Sequence, residues 1–156
     1  MPHTRRQLLA RSALMSTLIG ASLTLSAGAA LAAPKASAPQ VRFSTSQGDF
    51  VIEVYPDKAP KTVANFLQYV RSKHYDGTVF HRVINNFMIQ GGGYDTRYVE
   101  KATRAPVPHE GRQSAKAGLR NTVGTVAMAR TNDPNSGAAQ FFINVKDNSF
   151  LDPVQI

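Results

Sequence analysis

Apolar residues recur along the chain in three patterns, and each predicts a different element. From residue 41 the period is two: Val41 and Phe43 precede Ser46-Gln47-Gly48-Asp49, and Phe50-Val51-Ile52-Glu53-Val54 follows it, predicting a β-hairpin. Pro56 closes the second strand, and Ala59-Pro60-Lys61-Thr62 opens a helix with proline in its first turn, where a missing N–H costs nothing. Val63, Phe66, Leu67 and Val70 then fall at i, i+3, i+4 and i+7, one apolar stripe on a helix of about four turns. The third pattern is an unbroken apolar run at residues 13–31, rich in Ala, Leu, Ser, Thr and Gly.

Beyond the helix the period returns to two. Asp76-Gly77 marks a turn, and residues 78–84 alternate as a strand, with Phe80, Arg82 and Ile84 on one face and His81 and Val83 on the other. Asn85-Asn86 breaks it. Residues 87–90 predict a second short strand carrying Met88 and Gln90 on one face, ended by Gly91-Gly92-Gly93. Residues 94–122 show little periodicity and are punctuated by Pro106, Pro108, Gly111 and Gly118, which predicts a long loop, functional or disordered. Residues 125–129 and 140–145 predict two further strands, the second with Gln140, Phe142 and Asn144 on one face. One helix and six strands imply a mostly β fold with a helix at its side, more barrel than open sheet.

The N-terminal run is set apart by composition. Residues 1–32 hold Arg5, Arg6 and Arg11 and no acid, and end in Ala30-Leu31-Ala32, a small-x-small pattern. This is the make-up of a cleavable export signal, with cleavage after Ala32 and a linker over residues 33–40. A membrane anchor is the alternative, though small residues make it a poor one. Thr4-Arg5-Arg6-Gln7-Leu8-Leu9 resembles a twin-arginine signal. Either route implies a periplasmic protein with no stable anchor once the signal is removed.

The whole chain carries +8, and without residues 1–32 fifteen basic residues face ten acidic ones, leaving +5. Much of that excess lies between Arg97 and Arg120, where few aromatics are interleaved, so a solvated loop is expected rather than a nucleic-acid surface. Cysteine is absent, which excludes thiol chemistry, cysteine-ligated metals and disulfides. His3, His74, His81 and His109 are too scattered to pair on one element, so no metal is expected. No Gly-x-Ser-x-Gly elbow is present, and Tyr94 follows the glycine triplet, so neither a hydrolase nor a phosphate loop is indicated. What remains is a polar set at strand positions, Arg82, Gln90, Gln140 and Asn144, interleaved with Phe87, Met88, Phe142 and Phe150. An apolar pocket with a few oriented donors is the usual make-up of a small peptide site.

Those residues carry a resemblance. Phe80-His81-Arg82-Val83-Ile84, Phe87-Met88-Ile89-Gln90-Gly91-Gly92, Gly118-Leu119-Arg120-Asn121-Thr122, residues 124–130, Gln140-Phe141-Phe142-Ile143 and Phe150-Leu151-Asp152 resemble the cyclophilins block by block and in order, over residues 41–152. The resemblance implies a cyclophilin-like antiparallel β-barrel with a flanking helix, and a peptidyl-prolyl cis/trans isomerase that needs no cofactor. It implies Arg82 as the catalytic arginine. Phe87, Met88, Phe142 and Leu151 become walls of a proline pocket, with Phe150 where many relatives have tryptophan. Gln90 and Gln140 become the groups that orient the substrate backbone, beside Ala129, Arg130 and Thr131 on the peptide groove. His81, which alternation points away, becomes structural. Partners would be proline-containing peptides and unfolded exported proteins, met by a monomer. The family's domain ordinarily continues past Phe-Leu-Asp, so residues 41–156 read as a domain lacking the last two strands and second helix. That leaves two other readings beside the isomerase, a non-catalytic proline-peptide-binding chaperone module and an inactive truncated remnant.

Overall fold

The computed structural model describes residues 37–153; the expected signal at residues 1–32, the start of the expected linker and residues 154–156 lie outside the described residues. Strands β1 (Gln40–Thr45) and β2 (Gly48–Glu53) form the predicted hairpin, with Phe43 opposite Phe50. The two rings stack at 5.0 Å between centroids, so the pair that sets the register also begins the core.

Helix α1 (Pro60–Arg71) follows, with proline in its first turn. Its buried face is Val63, Asn65, Phe66 and Tyr69, while Leu67 and Val70 are only half-buried, so the face is turned from the apolar stripe toward two residues with polar tips. Both tips find partners. Asn65 Nδ2 donates to the Ala138 carbonyl at 2.6 Å, and the Tyr69 hydroxyl accepts the Arg104 N–H at 2.7 Å. A satisfied polar tip removes the penalty of burying it, which leaves the large apolar body of tyrosine to decide.

The first turn of α1 has no side-chain cap of its own. Glu110 supplies one from a distance, accepting the backbone N–H of Lys61 at 3.0 Å and of Thr62 at 2.7 Å. Partial burial works against its charge, but these N–H groups outweigh it and hold the carboxyl below the usual range. The same contact ties down the stretch predicted as one long loop. That stretch also contains a short helix, α2 (Gly111–Lys116), whose six residues are too few to show a periodicity in sequence.

Strands β3 (Arg82–Ile84), β4 (Met88–Gly91), β5 (Val126–Met128) and β6 (Phe141–Asn144) form a four-stranded antiparallel sheet in the order β3-β4-β6-β5. A 3₁₀ turn (Ser149–Leu151) follows β6. The strand predicted over 78–84 forms only from Arg82; before it, Thr78 makes a lone bridge to Asp95 and Val79 N–H donates to the Tyr94 carbonyl at 3.0 Å. Phe80 therefore does not share a face with Arg82. Its ring packs over Gly91, where a Cβ would come within 2.9 Å of it, and meets Phe141 edge-on at 6.3 Å.

The core lies where hairpin, helix and sheet meet: Ile52, Phe66, Tyr69, Tyr75, Ala139 and Phe141, with Phe43, Phe50 and Phe80 packed against them. Phe141 is its hub, with Tyr75 at 5.5 Å and Phe66 at 6.2 Å, both edge-to-face. Gly92 makes this possible. It sits at φ +84°, and a Cβ there would fall 2.9 Å from the Tyr75 ring and 3.1 Å from Phe141. Its carbonyl also receives the buried His74 Nε2–H at 3.1 Å. Gly92→Ala should therefore lower stability by about 2–4 kcal/mol through backbone strain and overpacking. A guanidinium melt within about 0.5 kcal/mol of the parent would contradict this.

His74 gives the fold a pH dependence with a fixed sign. Burial, aided by Lys101 and Arg104 and opposed by the Gly92 hydrogen bond, holds its imidazole below the ordinary range. Between the depressed folded pKa and about 6.5, the unfolded value, the unfolded chain binds a proton that the folded one refuses. Stability is thus full above about pH 6.5 and declines as pH falls below it. The denaturation midpoint should be lower at pH 5.5 than at pH 7.5, and an equal or higher midpoint would refute the assignment.

Candidate active site

Directly opposed residues of an antiparallel sheet share a face. Arg82 pairs with Gln90, Gln90 with Phe142 and Phe142 with Ala127, so one row across all four strands carries a cation, an amide, an aromatic ring and a methyl group. This row is part of the floor of an open cleft of about 1360 Å³. Phe87, Met88, Ala129, Arg130, Thr131, Phe150 and Leu151 line it as well.

Two residues of the expected polar set, Gln140 and Asn144, do not line the cleft directly, and Gln140 still joins the site. It enters through Gln90: Arg82 Nη1 donates to Gln90 Oε1 at 3.2 Å, and Gln90 Nε2 donates to Gln140 Oε1 at 2.8 Å. The three side chains form a directional relay, with an exposed guanidinium at one end. Its charge is not neutralised. Among the described residues the ion pairs are Arg42–Asp49 and Arg97–Asp95, and neither involves Arg82.

The apolar wall is formed at the end of the chain segment that returns from β6. Phe150 lies over Phe87 with ring centroids at 5.7 Å and planes within 29°, yet it is 73% exposed, so its outer face is free to meet a ligand. Met88 is buried beneath. Leu151 stands at the rim.

Asn144, grouped in sequence with the polar site residues, takes no part in the cleft and is fully buried below it. Its Nδ2 donates to Thr125 Oγ1 at 3.0 Å and Asn121 Oδ1 at 3.3 Å, while its Oδ1 accepts from Asn148 Nδ2 at 2.7 Å. Asn148 also donates to the Phe87 carbonyl at 2.9 Å, and Asp152 Oδ1 accepts both N–H groups of Asn121 at 2.9 and 2.8 Å. This amide network locks the turn bearing Phe150 and Leu151 against β4 and β6. Asn121, Asn148 and Asp152 were not singled out from sequence, because short polar residues between strands read simply as turn formers. His81 lies away from the cleft, its ring against Tyr94 at 4.5 Å, as alternation suggests.

With the geometry in place, comparison with known proteins is decisive. The model of the family "Cyclophilin type peptidyl-prolyl cis-trans isomerase/CLD" matches residues 40–156. The chain belongs to the cyclophilin family. It is 61% identical over 111 residues to the peptidyl-prolyl cis-trans isomerase cyp18 of Streptomyces antibioticus, covering 71% of this chain and 64% of that one. It is 57% identical over 111 residues to the peptidyl-prolyl cis-trans isomerase B of Escherichia coli, covering 71% and 65%. The chain thus spans just under two thirds of the length of these relatives. Among solved structures, the cyclophilin AquaCyp293 of Hirschia baltica superposes with a TM-score of 0.60 at 31% identity, over 72% of this chain and 59% of that one. A Cryptosporidium parvum cyclophilin crystallised in the presence of the dipeptide Ala-Pro gives 0.59 at 28% identity, over 73% and 72%.

One glycine of this cyclophilin sets the relay. A Cβ on Gly93 would come within 2.6 Å of the Cγ, Cδ and Nε2 atoms of Gln140, whose flexible end would have to move. Gly93→Ala should therefore displace Gln140 from Gln90 while leaving the fold intact. Side-chain amide NMR signals of Gln90 and Gln140 should shift with little loss of stability, and unmoved signals would contradict the relay.

Proposed function

We propose that this cyclophilin accelerates cis/trans rotation about X-Pro bonds, with Arg82 as the catalytic residue. The observation that carries the reading is the free guanidinium of Arg82, aimed by Gln90 and Gln140 beside an apolar wall. Family membership supports it.

Rotation about a peptide bond faces about 18–20 kcal/mol because resonance makes the C–N bond partly double. No covalent bond has to break. As the amide twists, resonance is lost and the lone pair localises on the prolyl nitrogen, which becomes a stronger hydrogen-bond acceptor than in the planar ground state. A guanidinium donor at that position stabilises the transition state more than the substrate, the condition for catalysis. The ring of the substrate proline would rest on Phe87, Met88, Phe142, Phe150 and Leu151, a surface that sheds water. Gln90 and Gln140, with Ala129, Arg130 and Thr131, would hold the flanking backbone still while the other side turns.

The substrates we propose are unfolded polypeptides newly delivered to the periplasm. This rests on the composition of residues 1–32, a basic start, an apolar run and Ala30-Leu31-Ala32. A helper of folding there acts on a slow step, since X-Pro isomerisation takes tens to hundreds of seconds unaided.

Arg82→Ala should lower turnover about a hundredfold or more, the scale seen when a preorganised donor is removed from a transition state. Because Arg82 is exposed and makes one side-chain hydrogen bond, its loss should change stability by less than about 1 kcal/mol. A proline-limited refolding assay beside a thermal melt reads both. Catalysis by the variant at the parental rate would remove Arg82 from the mechanism, and peptide binding without catalysis by the parent would favour a holding module.

A further inference from the structure

The cleft is strongly asymmetric in charge. Arg82, Arg112, Arg120 and Arg130 line it, against two carboxylates, Glu110 and Asp152. Both carboxylates are turned inward to the protein. Glu110 accepts the N–H groups of Lys61 and Thr62, and Asp152 accepts the two N–H groups of Asn121. Asp133, on the loop beside the cleft, accepts the Asn135 N–H at 2.8 Å. The four arginines are exposed, and none makes an ion pair among the described residues. Burial, and secondly Arg130, hold the His109 imidazole below its ordinary range, so at neutral pH the field of the cleft comes from the arginines. Cations facing a concave surface whose acids are already occupied create a positive field that concentrates anionic ligands.

We propose that the cleft selects proline segments flanked by acidic residues, with Arg112 and Arg120 as the specificity-determining cations. The proposal rests on the isomerase reading for its substrate class and adds the sign of the charge. Arg82 serves the bond that turns, and Arg130 is engaged locally, its Nη1 on the Thr131 carbonyl at 2.9 Å. Arg112, on α2, and Arg120 make no side-chain hydrogen bond or ion pair among the described residues. A peptide fits this surface better than a nucleic acid. Of the Phe rings in the cleft, Phe87 and Phe150 are stacked on each other and together offer one outer face, that of Phe150, where a bound strand would stack successive bases.

The test is a binding titration with three labelled peptides that share a central Ala-Pro and carry Glu, Ala or Lys on both sides, read by fluorescence anisotropy alongside cis/trans exchange by NMR. The Glu peptide should bind about tenfold more tightly than the Lys peptide, the sum of two or three exposed pairs worth a few-fold each. The gap should close at 0.5 M salt and shrink in the double variant Arg112→Gln, Arg120→Gln. Arg112→Glu should narrow it further, and an unchanged circular dichroism spectrum shows that these variants fold. Equal affinity for the three peptides, or a gap insensitive to salt and to both variants, would overturn the proposal. So would a short single-stranded DNA that displaces the Glu peptide at lower concentration than the peptide itself. Charge-selective binding with no catalysed exchange would uphold this proposal and remove the isomerase reading instead.

Discussion

Strands β4 and β6 pair antiparallel with Gln90 opposite Phe142 and Met88 opposite Asn144, although Gln90 and its hydrogen-bond partner Gln140 are 50 residues apart in sequence. Nearly every property of the site follows from that register. The cation and one amide come from one end of this span, the second amide and the apolar wall from the other. A slip by one residue would turn Phe142 from the cleft toward the core and bring Phe141 out of it, emptying both at once. The register is held on each side of the sheet by different chemistry. Below Phe141 it is aromatic packing against Tyr75 and Phe66; beneath the cleft it is the hydrogen-bonded amides of Asn144, Asn148 and Asn121. Apolar packing supplies most of the driving force, while amides that must be satisfied when buried permit few alternative arrangements.

The parts most legible in the sequence were those governed by local periodicity. The hairpin, the opening of α1 at Pro60 and the shared face of Met88 and Gln90 all follow from alternation and turn chemistry, and the structure holds each of them. Phe80 was misplaced because a period-two pattern cannot register that Gly91 leaves room for a ring beneath the sheet. The buried face of α1 was drawn too far toward Leu67 and Val70, since Tyr69 and Asn65 count as polar until their partners, Arg104 and Ala138, are known. Those partners are 35 and 73 residues away. Asn144 was grouped with the cleft residues by alternation alone, and only the bonds to Thr125, Asn121 and Asn148 place it underneath. Residues from the blocks that resemble cyclophilins come together along one cleft, but the order in which Arg82, Gln90 and Gln140 donate to one another is a matter of side-chain direction, which no spacing encodes.

The irregular stretch between β4 and β5 has a comparable dependence on distant partners. Glu110 serves as the N-terminal cap that α1 lacks, and Lys101 reaches back to the carbonyls of His74 and Asp76. A segment without internal periodicity is thus fixed by charges placed against backbone groups of other elements. The same arrangement leaves Arg112 and Arg120 without an ion pair among the described residues, because the neighbouring Glu110 is spent on a helix end.

The network below the cleft joins the two chain ends of the site through the neutral amides of Asn121, Asn144 and Asn148 and a single carboxylate, that of Asp152. Side-chain amides neither gain nor lose protons in water at ordinary pH, so the links among the three asparagines keep one electrostatic state from mildly acidic to mildly alkaline conditions. The fold as a whole senses acid through His74, but these amide links beneath the cleft do not. Mild acid would then loosen the core around His74 before it reached the joints between these three side chains.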